Sequence, residues 1–145
     1  MARIFIATEH KNEYLPMVYD ALRKYGHQVY DYQNSPSQEF SWNMIDPYHK
    51  NWGIDSLKNA LVHPYAEKAF NKDFECMQKA DLCILITPCG LSAHAVAGWM
   101  KGAGKKVLVF QPWPQAPELM YKMFDGMYSM LTILLEAIDD LKLSK

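Results

Sequence analysis

The chain has 145 residues, half of them hydrophobic and 21 % charged, with a formal net charge of −1. That length suits one domain over residues 1–145, and a charge so near zero leaves no electrostatic footprint for a nucleic-acid polymer. No apolar stretch is long enough to span a bilayer, so a membrane partner is not expected.

Arg3–Thr8 is apolar at Ile4, Phe5 and Ile6 and reads as a central parallel strand, with Thr8, Glu9 and His10 at its carboxyl end. In Tyr14–Tyr25, residues Leu15, Val18, Leu22 and Tyr25 recur at helix spacing, and Gly26 is a C′ stop. His27–Tyr32 is the second strand. Gln33–Gly53 is a long connection without periodicity, and loops of that length in compact domains usually carry function. Its Phe40, Trp42, Tyr48 and Trp52 offer enough flat surface to stack on a base. Trp52 is expected to pin the connection to the body.

Asp55 or Ser56 caps a short helix that stops at His63-Pro64. Pro64 suits a first helical position, so Tyr65–Lys79 is a new helix with Ala66, Ala69, Phe70 and Met77 as its buried stripe. Leu82–Ile86 is an unbroken apolar run, as in a strand buried on both faces. Pro88 stops it, Gly90 permits a tight turn, and Ser92 reads as the N-cap of a helix reaching Gly102. Gly104 ends that helix, and Val107–Phe110 is the next buried strand. This is one βαβ unit, in which ligands sit at the carboxyl end of the strand, against free N–H groups of the following helix. The loop Thr87–Ser92 is therefore the candidate site.

Beyond Phe110, Glu118–Phe124 reads as a short helix, Gly126–Tyr128 as a brief last strand and Ser129–Leu141 as an amphipathic helix. Met120, Met123, Met127 and Met130 are by default core filler. Cys83 belongs inside a strand and Cys89 on the site loop, while Cys76, Cys83 and Cys89 show no metal spacing. The other histidines are scattered, so neither a metal nor a cofactor is expected. The first residues lack a signal-peptide h-region, and the expected compartment is the cytoplasm. The expected fold is α/β, a three-layer α/β/α domain with a parallel sheet in the flavodoxin-like order 2-1-3-4, extended by a fifth strand.

Pro88–Lys105 reads PCGLSAHAVAGWMKGAGK. It resembles the core motif of the nucleoside 2-deoxyribosyltransferase-like family, GxSAHxEAG followed by GAGK. RIFIATEH, HPYAEKAFNKDFECMQKAD and PELMYKM resemble further segments of that family in order and spacing, so the resemblance covers nearly the whole chain. It implies cleavage of an N-glycosidic bond in a deoxynucleoside or nucleotide, through a glutamate that attacks the anomeric carbon. It implies that Asp73 is the second carboxylate, which orients the nucleophile, and that the loop with Phe40 and Trp42 covers the base. It also implies a homodimer or higher homo-oligomer, in which Pro117–Met123, with Met120, reaches a neighbour's site.

One position departs from the motif. Where the family has its nucleophilic glutamate, this chain has Val96. Valine has no lone pair, charge or proton, and losing a nucleophile costs on the order of a million-fold in a well-studied hydrolase. Pro88, Gly90, Ser92 and His94 remain, with Thr8, Glu9 and His10 opposite, as a site for phosphate or sugar hydroxyls. His94 fits a ligand contact and a structural histidine equally well. Three readings stay open. The chain binds a nucleoside, a nucleotide or a nucleotide-derived signal without cleaving it, as a sequestering protein would. Alternatively, it is an enzyme in which Glu9 or Asp73 activates water. Or Val96 is an engineered substitution in an ordinary transferase.

Overall fold

The computed structural model describes residues 1–30, 40–141 and 143. The chain divides into two compact units, one of residues 1–30 with 79–145 and one of residues 31–78. Five strands form one sheet: β1 (Arg3–Ala7), β2 (Gln28–Val29), β3 (Leu82–Ile86), β4 (Lys106–Phe110) and β5 (Gly126–Tyr128). The order is β2-β1-β3-β4-β5 and every pairing is parallel. The α-helices among the described residues are α1 (Leu15–Lys24), α2 (Ile54–Leu61), α3 (Pro64–Lys79), α4 (Leu91–Gly102) and α5 (Leu131–Asp140).

The sheet belongs to the first unit, and its two faces follow from strand periodicity. Ile4, Ile6, Leu82, Ile84, Ile86, Leu108 and Phe110 form one face, packed with Leu15, Val18 and Leu22 of α1 and Leu134, Leu135 and Ile138 of α5. The intervening Phe5, Cys83, Leu85, Val107 and Val109 are equally buried and point the other way. Helix α4 contacts β1, β3 and β4 and buries Ala93, Ala97 and Met100. Helices on both faces of a parallel sheet give the expected three-layer α/β flavodoxin-like fold. The chain order reverses between β1 and β3, so their carboxyl ends form the switch point.

Several local expectations are corrected. Helix α4 starts at Leu91 with Gly90 as an extended N-cap (φ −87°, ψ −167°), so Ser92 is the second helical residue and not the cap. Gly53, not Asp55 or Ser56, precedes α2, and Asp55 lies within its first turn. The second strand is only Gln28–Val29 among the described residues; Asp31 and Tyr32, like positions 33–39 of the long connection, lie outside them. The short helix expected over Glu118–Phe124 is present as a 3₁₀ helix, Leu119–Met123.

The methionines expected in the core are exposed: Met120 is 60 % and Met130 62 % accessible, with Met123 and Met127 also open. The short β5 and the 3₁₀ turn give them no second layer to pack under. In the second unit, α3 buries Ala66 and Met77, but Phe70 is 59 % exposed and so leaves the predicted stripe. By contrast, Gly26 (φ +87°) and Gly104 (φ +85°) end α1 and α4 in the left-handed conformation that only glycine adopts cheaply.

Candidate functional site

The carboxyl ends of β1 and β3 are tied together by buried side chains. The Thr8 hydroxyl donates to the Ile86 carbonyl at 2.8 Å, and Thr8 is only 6 % exposed. Asn12 follows, also buried, and its Nδ2 donates to the Pro88 carbonyl at 3.0 Å. Its Oδ1 accepts from the Tyr14 N–H at 2.7 Å, which sets the entry to α1. One asparagine thus fixes the turn after β1 and the loop after β3 at once. Neither the motif nor the hydrophobic periodicity singles it out; its place among polar residues just before a helix is the only available signal.

Glu9 and His10 are exposed at this end of the sheet. A Cβ built on Gly90 would lie 3.0 Å from Glu9 Oε1, so the carboxylate rests close against the loop. Thr8–His10 and the Gly90 loop therefore meet, as the switch point requires.

On the other side of that loop, His94 is fully engaged. Its Nδ1 is 2.9 Å from the Gly90 carbonyl and its Nε2 is 2.8 Å from the Tyr121 hydroxyl. A carbonyl can only accept, so Nδ1 carries the proton and Nε2 accepts from Tyr121. Burial, then the neighbouring Cys89 and Glu118, raise the Tyr121 phenol, which keeps it a donor. The two rings also stack at 5.7 Å. His94 thus acts as a structural pin between α4 and the 3₁₀ turn. Cys89 sits beside it, its Sγ 3.7 Å from Nδ1, and burial and then Glu9 push its thiol up to about 11. Such a thiol is a poor nucleophile. Cys83, buried in β3, is pushed up to about 12 by burial.

A cleft of about 160 Å³ opens between the loop after β3 and the segment after β4, lined by Thr87, His94, Gln111, Trp113, Glu118 and Tyr121 among others. Gln111 is buried, accepts from the Thr87 hydroxyl at 3.2 Å and donates to the Gln115 carbonyl at 2.9 Å. Ser92 and Leu91 are exposed on the first turn of α4, Pro88 bounds the cleft, and Val96 is half-buried. The first turn of α4 contains no acidic residue. Met120 is exposed beside the engaged Tyr121.

The remaining predicted residues lie in the second unit. A pocket of about 480 Å³ is lined by Phe40, Trp42, Leu61, Ala66, Glu67, Ala69, Phe70 and Asp73. Its volume falls in the range of small-molecule sites. Asp73 is half-buried there. Phe40 meets Trp42 edge-on at 4.9 Å, and Trp42 meets Trp52 edge-on at 6.1 Å. Trp52 is anchored, because its indole N–H donates to Asp46 Oδ2 at 2.7 Å. That bond, then the Tyr48 N–H, hold the Asp46 carboxyl below its ordinary value. Glu67 is a lining residue that the sequence did not single out, and Phe70, expected in the buried stripe, lines the pocket instead. Among the described residues no group of three or more His, Cys, Asp or Glu side chains is placed to hold a metal ion, and no helix is long and apolar enough to cross a membrane.

No family model matches the chain, and no curated protein matches it. Solved structures do match. A 2-deoxyribosyltransferase of Bacillus psychrosaccharolyticus superimposes with a TM-score of 0.57 at 22 % identity, over 92 % of this chain and 90 % of that one. A CMP N-glycosidase of Clostridium botulinum superimposes with a TM-score of 0.53 at 14 % identity, over 94 % of this chain and 98 % of that one. At such identities the likeness extends to the fold.

Proposed function

We propose that the chain is a nucleoside- or nucleotide-binding member of the nucleoside 2-deoxyribosyltransferase-like family that holds its ligand without covalent glycosyl transfer. The fold it shares with a deoxyribosyltransferase and a nucleotide N-glycosidase supports the family, and so does the ordered motif around Ser92, His94 and Gly98. The observation that carries the binding role is Val96: at the nucleophile's place in the motif stands a half-buried aliphatic side chain. The pocket with Phe40, Trp42 and Asp73 suits a flat heterocycle, which aromatic faces hold by stacking and a carboxylate orients through a base amine or sugar hydroxyl.

The test pairs binding with turnover. Nucleosides and their 5′-monophosphates are titrated calorimetrically, and base release from the same compounds is followed chromatographically. Saturable binding with no base release above buffer is expected. Base release by the unaltered protein would sink the binding role.

Glu9 favours a second reading, because its carboxylate already rests on the loop after β3. As a general base it would activate water for direct hydrolysis. That reading expects base release that disappears in Glu9→Gln.

Homo-oligomerisation belongs to the proposal as well. Leu91, Leu119, Met120 and Met123 are all exposed, with Leu91 90 % and Leu119 75 % accessible. Leu119, Met120 and Met123 fall within one 3₁₀ helix, and an apolar cluster of that kind favours self-association. Light scattering at micromolar concentration should give at least a dimer mass, and a monomer mass would remove this part.

A further inference from the structure

The second unit contains a further cavity, of about 250 Å³, beside the pocket that Asp73 lines. Its lining is Trp42, His49, Trp52, Leu57, Ala60 and Leu61, all within residues 31–78. Trp42 and Leu61 also line the larger pocket and so form a wall common to both. Leu57, Ala60 and Leu61 stand at i, i+3 and i+4 on one face of α2.

The aromatic walls are braced within their own stretch of chain. The Trp52 indole N–H is engaged by Asp46, which also accepts from the Tyr48 N–H at 2.8 Å. The His49 backbone N–H donates to the Asp46 carbonyl at 3.1 Å, and the Trp52 backbone N–H to the His49 carbonyl at 3.2 Å. Trp52 thereby meets Trp42 at 76° and His49 at 70°, which sets three ring systems across one another. A cavity formed in advance costs its ligand little further ordering.

The chemistry of the lining is narrow. Among the described residues that line it, none is a carboxylate, a lysine, an arginine, a hydroxyl or an amide side chain. Polar contacts can come only from the His49 imidazole and the Trp42 indole. His49 Nδ1 is buried and has no hydrogen-bond partner among the described residues, a state that buried polar atoms rarely keep. A nucleobase, a sugar or a phosphate carries several polar groups, and most of them would go unpaired here. A flat apolar ring with a single N–H or O–H fills the space and gives its one donor to the imidazole. An apolar cavity of about 150 Å³ takes benzene, so about 250 Å³ suits a two-ring molecule.

We infer that Trp42, His49, Trp52 and the Leu57–Leu61 face of α2 form a second small-molecule site, which takes an uncharged, flat aromatic ring of indole-like size bearing one hydrogen-bond donor. The site does not depend on the nucleoside reading and uses no residue of the first unit.

Indole and 1-methylindole, which lacks the N–H, are titrated into the isotope-labelled full chain while the amide signals of Leu57, Ala60 and Leu61 are followed. In the wild type, indole should shift them saturably and bind at least about threefold more tightly than 1-methylindole. In His49→Phe, which keeps a ring but removes the acceptor, the two compounds should bind alike. Leu57 is 50 % exposed and does not line the larger pocket, so Leu57→Lys should keep the fold and weaken indole binding by about tenfold or more. No saturable shift in the wild type, equal affinity for the two indoles, a preference that survives His49→Phe, or unchanged binding in Leu57→Lys would each overturn the inference. Should His49→Phe fail to fold, the wild-type comparison and Leu57→Lys still decide it. Nucleoside binding by the same wild type is read separately, so either proposal can fail without the other.

Discussion

The loop after β3 and the aromatic pocket of residues 31–78 are built on opposite principles. Around the loop, four polar side chains are committed: Thr8 to Ile86, Asn12 to Pro88 and Tyr14, Gln111 to Thr87 and Gln115, His94 to Gly90 and Tyr121. The aromatic pocket is wide, about 480 Å³, and presents an exposed Phe70 with two carboxylates. The first region stores its information in internal hydrogen bonds, the second in shape and exposed surface. Substitutions should divide accordingly: the loop region should lose stability, and the pocket should lose ligand.

The sharpest break of that contrast is Asn12→Ala. It leaves the Pro88 carbonyl and the Tyr14 N–H without their partner in a partly buried setting, at a cost of about 1–2 kcal/mol in urea unfolding. A loss below about 0.5 kcal/mol would mean the joint is not structural.

Next comes Asp125, which ties α4 to β4. It accepts from Lys101 at 2.9 Å and from the Val107 N–H at 2.8 Å. Burial raises its carboxyl, but the Val107 N–H and then Lys101 outweigh burial, so the net shift is downward. A carboxyl lowered by folding stabilises above its unfolded value and loses that contribution as the pH falls through its folded one. Asp125→Asn should cost about 1–2 kcal/mol at neutral pH. The difference from wild type should shrink below about pH 4. A pH-independent difference would contradict the assignment.

Tyr121→Phe removes one hydrogen bond and keeps the ring stack on His94. The expected loss is about 1 kcal/mol in thermal or chemical unfolding. Smallest in stability is Phe70→Ala, within about 0.5 kcal/mol because the ring is exposed. Its nucleoside affinity should nonetheless fall by about 1 kcal/mol, read by calorimetry. Unaltered affinity would place the ligand elsewhere.

The sheet was legible in the sequence because Ile4–Ile6, Leu82–Ile86 and Val107–Phe110 are buried on both faces and leave unbroken apolar runs. Gly26 and Gly104 marked helix ends for an equally direct reason, their positive φ. Caps were less legible. Ser92 and Asp55 have cap-forming side chains, but the extended backbone that makes a cap fell to Gly90 and Gly53, in each case two residues earlier. The exposed methionines were missed because composition cannot say which elements receive a second layer. Asn12 was missed because its amide N–H donates to a carbonyl more than seventy residues away, and main-chain acceptors leave no mark in a sequence.

The proposed binding role turns on position 96, where the motif that the chain resembles has a glutamate and this chain has Val96. The most direct measurement is the intact mass and base release of Val96→Glu beside wild type, after incubation with 2′-deoxynucleosides. Val96 is half-buried and is the sixth residue of α4, beyond the first turn where a helix N-terminus favours a carboxylate. The account predicts an unmodified, silent wild type and a glutamate variant that releases base and carries a deoxyribosyl mass increment. A glycosylated or turning-over wild type would contradict it, as would a silent glutamate variant that still binds nucleoside.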